Sequence, residues 1–399
     1  KQGKQYYKLA KFDQAIESFE LAIKAFSGNP SRLIDSYLYK GRMHLYKGVY
    51  EDCKQCYDKA LEICEKYLPQ DSPKYVTIYN MSSLLYRRET NYQKALDVSF
   101  KAKELAEKIL PPDHIDVAKS YHNIGSAYRG LAKIQEAKEW LQKALTIKLK
   151  YQGEDRDYEL AVTYNRLGSV YERDLNFVNA MALYERSFEC QKAYYGDVEH
   201  PDVADCYCNL GNIEGSWGQH YENLNYQKKY LEVYLRCFGE NHPSIGDAYL
   251  GIGNAYNCLD MYSEAIEYYE KAIKISTIFF GEQHPRTSDA YFNIGKIYDS
   301  QKQFTKALKY YLMTRETTKK YYGDRHLEMT DLYNNVGMMM FDLKNFELAC
   351  KNLAKVLMIH RKTFGKHHKN SRDIVFRLCV IDWQHHAQND FNLAEQFKI

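Results

Sequence analysis

The chain has 399 residues, more than the roughly 250–300 that one hydrophobic core organises, so it is either several domains or an elongated array. Its 55 Lys+Arg against 52 Asp+Glu leave a formal charge of +3, which argues against a generally basic nucleic-acid-binding or polybasic membrane-surface protein but leaves room for a local patch. Apolar residues at 45% and charged residues at 27% argue against disorder, and no apolar run approaches the ~18 residues that span a bilayer.

The ten cysteines are scattered, and Cys53 and Cys56 form a CxxC without a second pair at zinc spacing. They read as reduced packing residues in a cytoplasmic compartment. The chain starts at Lys1 rather than Met, and neither end carries a polar capping repeat, so it reads as a segment of a longer protein.

In chain order, one pattern recurs. A small residue sits inside a helical stretch at Gly3, Gly41, Ser83, Gly125, Gly168, Gly211, Gly253, Gly295 and Gly337. From Gly41 the steps are 42, 42, 43, 43, 42, 42 and 42 residues. A second helix opens each time on an aromatic or apolar residue followed three later by a mostly small one: Phe12/Ala15, Tyr50/Cys53, Tyr92/Ala95, Ile134/Ala137, Phe177/Ala180, Tyr221/Leu224, Tyr262/Ala265, Phe304/Ala307, Phe346/Ala349 and Phe391/Ala394. Between units run loops such as Gly239-Glu240-Asn241-His242-Pro243, and His200, His242, His284 and His326 stand one period apart. Apolar residues fall three and four apart within each stretch, as in Ile245, Ala248, Tyr249, Ile252, Ala255 and Tyr256, which predicts paired amphipathic helices. All eight prolines lie in or beside the predicted loops.

This pattern of glycine, tyrosine, alanine, aromatic and alanine, read at Gly253, Tyr256, Ala265, Tyr269 and Ala272, resembles the tetratricopeptide (TPR) repeat. The 42-residue step and the Gly-acidic-x-His-Pro loops look like the kinesin-light-chain-type subfamily. The resemblance implies an all-α, right-handed superhelical solenoid of about ten helix-turn-helix repeats, with first helices lining a concave groove. The expected organisation is a single solenoid over residues 1–399, with units at approximately 1–30, 31–72, 73–114, 115–157, 158–200, 201–242, 243–284, 285–326, 327–368 and 369–399. The sixth unit departs from the pattern: Leu224 stands at the small position, Glu214 replaces the inward tyrosine, and an extra residue enters, which predicts local variation or a weak seam.

No phosphate loop, metal-ligand cluster or nucleophile motif is present, so the expectation is no enzyme, no catalytic residue, no metal and no cofactor. The loop histidines are one helix pair apart, too far for one ion, and read as structural. His367-His368 and His385-His386 read as solvated. What remains is a surface. Positions that face the groove in the family map onto Arg42, Tyr46, Arg87, Arg88, His122, Arg129, Asn165 and Arg173 in the first half, and onto Asn254, Asn257 and Asn334, with Asp299 and Asp342, in the second. Basic side chains come early and acidic ones late, so an acidic peptide is the expected ligand of the arginine strip.

The leading expectation is a cytoplasmic protein-interaction scaffold or adaptor, with motor or cytoskeletal attachment implied by the resemblance. The alternatives are a component of a large ciliary, axonemal or cytoskeletal multi-protein assembly, and a sensor region regulating a catalytic domain elsewhere. Neither nucleic-acid binding nor membrane insertion is expected.

Overall fold

The computed structural model describes residues 2–240, 242–282, 285–323, 329–364 and 369–388. Among the described residues there are nineteen α-helices and no strand. The chain divides into two compact units, residues 1–242 and 243–399.

In the first unit the helices alternate as inner and outer members of pairs. They are α1 (Gln2–Lys8) with α2 (Phe12–Ala25), α3 (Pro30–Tyr46) with α4 (Tyr50–Tyr67), α5 (Pro73–Arg88) with α6 (Tyr92–Ile109), α7 (Ile115–Gly130) with α8 (Ile134–Lys150), α9 (Arg156–Arg173) with α10 (Phe177–Tyr195), and α11 (Pro201–Ser216) with α12 (His220–Phe238). The second unit continues the alternation. It holds α13 (Pro243–Cys258) with α14 (Tyr262–Phe280), α15 (Pro285–Ser300) with α16 (Phe304–Tyr322), α17 (Thr330–Asp342) with α18 (Phe346–Phe364), and α19 (Lys369–Gln388). Each helix packs on its pair partner, and within each unit successive pairs stack, so the chain is an all-α helix-turn-helix solenoid.

Local chemistry sets the helix starts. Asn29 and Ser72 accept hydrogen bonds from the first-turn amides of Arg32 and Lys74. Two loop histidines do the same work. His114 Nδ1 accepts from the Asp116 amide at 3.1 Å and His200 Nδ1 from the Asp202 amide at 3.2 Å, so His200 has the structural role its spacing suggests. His284, His326, His367, His368, Phe391 and Ala394 lie outside the described residues, as do the side chains of His385 and His386.

The marker glycine is explained by one contact. A Cβ on Gly253 would stand 2.6 Å from the ring of Tyr269, and one on Gly168 or Gly295 would stand 2.7 or 2.8 Å from the ring of Tyr184 or Tyr311. In seven repeats the partner is 16 residues on: in the other four of them Gly3 lies under Phe19, Gly41 under Tyr57, Gly125 under Leu141 and Gly337 under Leu353. The bare glycine lets a large side chain of the outer helix seat against the inner backbone, which draws the two axes together. At Ser83 the rule bends consistently. Its partner 16 residues on is Ser99 rather than a ring, and the two hydroxyls share a 2.6 Å hydrogen bond in the buried gap.

The sixth pair, α11 and α12, is the exception. The residue 16 beyond Gly211 is Gln227. It is 1% exposed, with Nε2 donating to Asn212 Oδ1 at 3.0 Å and Oε1 buried without a partner. A Cβ on Gly211 would meet Tyr226 and Asn223 instead. Leu224 at the small position is itself buried. The departure visible in the sequence is therefore centred on a polar knob at Gln227 as much as on Leu224.

Candidate protein-binding site

In the first unit the early pairs meet the later ones. Tyr46, at the end of α3, donates to Asp202 Oδ1 at 2.9 Å, and Tyr195, at the end of α10, donates to Asp202 Oδ2 at 2.6 Å. Tyr7 of α1 lies 2.9 Å, oxygen to oxygen, from both of those phenols. Around them Phe12 stacks on Phe238 at 5.0 Å and on Tyr46 at 5.4 Å, and His200 stacks on Tyr195 at 3.9 Å. His242 Nε2 donates to the Tyr46 carbonyl at 2.8 Å. Arg42 donates to Tyr7 at 3.1 Å and also to Tyr158, and its guanidinium lies over their rings. The turn end of the first two pairs is thus seated on the loop ends of the fifth and sixth. The inner helices α3, α5, α7, α9 and α11 lie side by side, and the Tyr46–Asp202 contact joins the first of them to the last, so their shared face is the interior of this unit.

This closure sorts the candidate residues. Arg42 and Tyr46 are engaged within the chain. His122 is buried, within 3.4 Å of the Ser126 hydroxyl and 3.3 Å of the Thr163 hydroxyl, and burial holds its imidazole far below the usual range. Asn165 is half-buried beside Cys206. In the second unit Asn254 Oδ1 accepts from Tyr269 at 2.8 Å and from Asn293 at 3.0 Å, and Asn334 Oδ1 accepts from Arg377 at 2.8 Å. Asn257 is half-buried on α13. Asp299 accepts from Tyr311 at 3.3 Å, and burial, then Asp342, raises its carboxyl.

Arg87, Arg88, Arg129 and Arg173 come together on α5, α7 and α9, and the structure adds Arg166 on α9. Among the described residues, ion pairs in this unit are made by lysines and by Arg156 and Arg236, for instance Lys148–Glu159 at 2.6 Å, and none by these five arginines. The Nε atoms of Arg87, Arg129 and Arg166 are buried and donate to nothing. Burial first, and then the charges of Arg88 and Arg129, push Arg87 down to about 9. Burial, then Arg129, Arg87 and Arg88, push Arg166 well below the arginine range, and burial with Arg173 lowers Arg129. An arginine keeps its proton in a protein, so these shifts express first the cost of burying a charged guanidinium and then the crowding of like charge, and an anion would relieve both.

Arg88 differs. Its side chain is exposed, and although desolvation is the largest single influence, Asp205 of α11 with the Tyr234, Tyr50 and Tyr46 phenols together outweigh it and move it up. Asp205 accepts from Tyr234 at 2.8 Å and is raised to about 6 by burial, against the lowering influence of Arg88. Arg173 is exposed and donates to the Arg129 carbonyl at 3.4 Å. Arg87 is held in place: its Nη2 donates to Asn123 Oδ1 at 3.2 Å, and Asn123 Nδ2 donates to the Asn80 side-chain oxygen at 3.0 Å.

Arg166 and Asp205 were missed in the sequence because they lie two and six residues before a marker glycine, off the family's groove positions. A signal existed for the first: Asn123, Arg166, Asn209, Asn293 and Asn335 all stand two before the glycine, a polar residue in five repeats. Among the described residues no group of His, Cys, Asp and Glu could hold a metal ion, and no helix is long and apolar enough to cross a membrane.

Comparison with known proteins assigns the class. One tetratricopeptide-repeat family model matches residues 77–150, 159–236, 218–278 and 244–320, and a second tetratricopeptide-repeat model matches residues 330–369. The chain belongs to the tetratricopeptide-repeat family. Among solved structures it is similar to a Rap protein complexed with Competence and Sporulation Factor, at 13% identity and a TM-score of 0.61, covering 89% of this chain and 99% of that one. It is similar to the apo form of RapI at 14% identity and a TM-score of 0.52, covering 72% and 98%. A match to the kinesin light chain TPR-like repeats of Podosopora anserina has 20% identity and a TM-score of 0.42, covering 52% and 98%.

Proposed function

We propose that the chain is a non-catalytic interaction scaffold whose first unit holds an acidic segment of a protein partner in its interior, on Arg87, Arg129 and Arg166. The observation that carries this reading is the cluster itself: three half-buried guanidiniums without ion-pair partners and with idle Nε donors. A buried polar group left unpaired costs about 1–3 kcal/mol, and more when charged. A carboxylate-bearing segment supplies both the missing acceptors and the missing charge. The Rap protein in complex with Competence and Sporulation Factor supports a binding role for an array of this shape.

Attachment to a motor or to the cytoskeleton, membership of a ciliary or axonemal assembly, and regulation of a catalytic domain outside residues 1–399 are all compatible with such a scaffold. A cytoplasmic setting, which the scattered free cysteines favour, suits each of them.

Hydrogen exchange tests the placement. A Glu-rich peptide at saturation should slow exchange in α5, α7 and α9 and leave the outer helices α6, α8 and α10 unchanged. Protection confined to the outer helices or to the inter-repeat loops would overturn the reading.

A further inference from the structure

We propose that Arg87, Arg129 and Arg166 form a phosphoryl-anion site, which takes the dianionic group of a phosphorylated side chain on the docked partner segment. This rests on the reading that an acidic segment enters the interior of the first unit.

The donors argue for the ligand class. Each guanidinium is a planar fork, and these three come from the successive inner helices α5, α7 and α9 rather than from one helix face. A carboxylate offers two oxygens in one plane and a single charge. It satisfies one fork well and leaves about two positive charges unopposed. A phosphoryl group offers three terminal oxygens in a tetrahedral fan and about −1.5 to −2 charge near neutral pH, which suits three forks carried on three different helices.

The site is also built before any ligand arrives. The Asn80–Asn123 pair holds one terminal nitrogen of Arg87, at 3.0 and 3.2 Å along the chain of contacts, so that fork is fixed in place. The Nε atoms of all three arginines are buried without an acceptor. The two neighbouring arginines are otherwise occupied: Arg88 has Asp205 and Tyr234 beside it, and Arg173 donates to the Arg129 carbonyl at 3.4 Å. The carboxylates close by, Glu172 and Asp205, act on Arg129 and on Arg88 and Arg166 through their charge, and among the described residues neither forms an ion pair with them. Glu172 accepts from the Tyr184 phenol at 2.7 Å and Asp205 from the Tyr234 phenol at 2.8 Å.

The test uses the full chain and two kinds of probe. In thermal melting at matched ionic strength, inorganic phosphate should raise the melting temperature above that in chloride. Arg166→Gln should raise the melting temperature without phosphate, because it removes like-charge crowding, and should abolish the phosphate shift. A merely misfolded variant would melt lower, so the two signs separate loss of the site from loss of the fold. Arg236→Gln, at an exposed surface ion pair, should keep the whole phosphate shift. In titration calorimetry a Glu-rich peptide carrying one phosphoserine should bind roughly tenfold or more tighter than the same peptide carrying serine or glutamate there, with the gain lost in Arg166→Gln.

A phosphate shift no larger than that in chloride, or one retained in Arg166→Gln, overturns the inference. If the Glu-rich peptide still binds in that case, the acidic-segment reading survives it. If no peptide binds, both fall. If inorganic phosphate binds at these arginines but the phosphoserine peptide gains nothing, the site belongs to a free phosphate ligand, and the assignment to a phosphorylated side chain is wrong.

Discussion

Ser83 and Ser99 share a 2.6 Å hydrogen bond at the place where seven other repeats set a glycine against a residue 16 further on. Both members of the pair changed together. The inner position gained a hydroxyl, and the outer one gave up the ring that a Cβ would have struck. Gap and filling remain matched, which is what close packing between two helices demands.

A double-mutant cycle makes that coupling measurable. Ser99→Tyr alone drives a ring against the Ser83 Cβ and should cost about 1–3 kcal/mol in urea unfolding, as overpacking does. Ser83→Gly alone loses the hydroxyl partner and should cost about 1–2 kcal/mol. The double mutant recreates the Gly253–Tyr269 arrangement and should be more stable than the sum of the singles by at least about 1 kcal/mol. Additive effects would show that the two positions do not constrain each other.

The sixth pair should be the weak one of the first unit. Gln227 is buried where seven other repeats carry a ring or a leucine, with Oε1 unpaired. Gln227→Leu should raise unfolding stability by about 1 kcal/mol, because a leucine serves at the equivalent Leu141 and Leu353. In hydrogen exchange, residues 211–230 should protect less than residues 253–275. Equal protection, or a destabilised Gln227→Leu, would show that the glutamine network holds this pair together.

Stability of the closed first unit should depend on His200. Burial holds its imidazole down to about 4, against an ordinary value of 6.5. Between those values the unfolded chain takes up a proton that the folded chain refuses. The neutral imidazole therefore contributes stability that is whole above about 6.5 and is lost as pH falls through about 4. Asp205 works oppositely: its carboxyl is raised to about 6, so its penalty is whole above that pH and is relieved on acidification. Comparing wild type with His200→Gln cancels the second effect. From pH 7 to 4 the wild type should lose about 2–3 kcal/mol more than the variant, and parallel pH curves would show that His200 protonates freely in the fold.

The repeat was legible in the sequence because it is local. Marker residues 42 or 43 apart and apolar stripes at helical spacing define every pair from α3 to α18, and Gly196, Gly239, Gly281 and Gly323 end outer helices with φ between 66° and 87°. The arginines were legible as a strip because Arg87 and Arg129 share one repeat position. Closure was not. It joins Tyr7 and Tyr46 to Tyr195, Asp202 and His242, and no period relates those positions. It arises from how far each pair rotates on the last, a sum over packing contacts that no single motif records. For the same reason Arg42 and Tyr46 read as open groove positions, although the chain uses them itself.

The central claim is that the arginines on α5, α7 and α9 are a docking site for an acidic partner. A fluorescence anisotropy titration of a labelled Glu-rich peptide tests it most directly, run at low and high salt against wild type and Arg87→Glu/Arg129→Glu. The account predicts binding to wild type that weakens with salt, and loss of binding in the double variant with helical circular dichroism retained. Equal affinity for the two proteins, or affinity indifferent to salt, would contradict it.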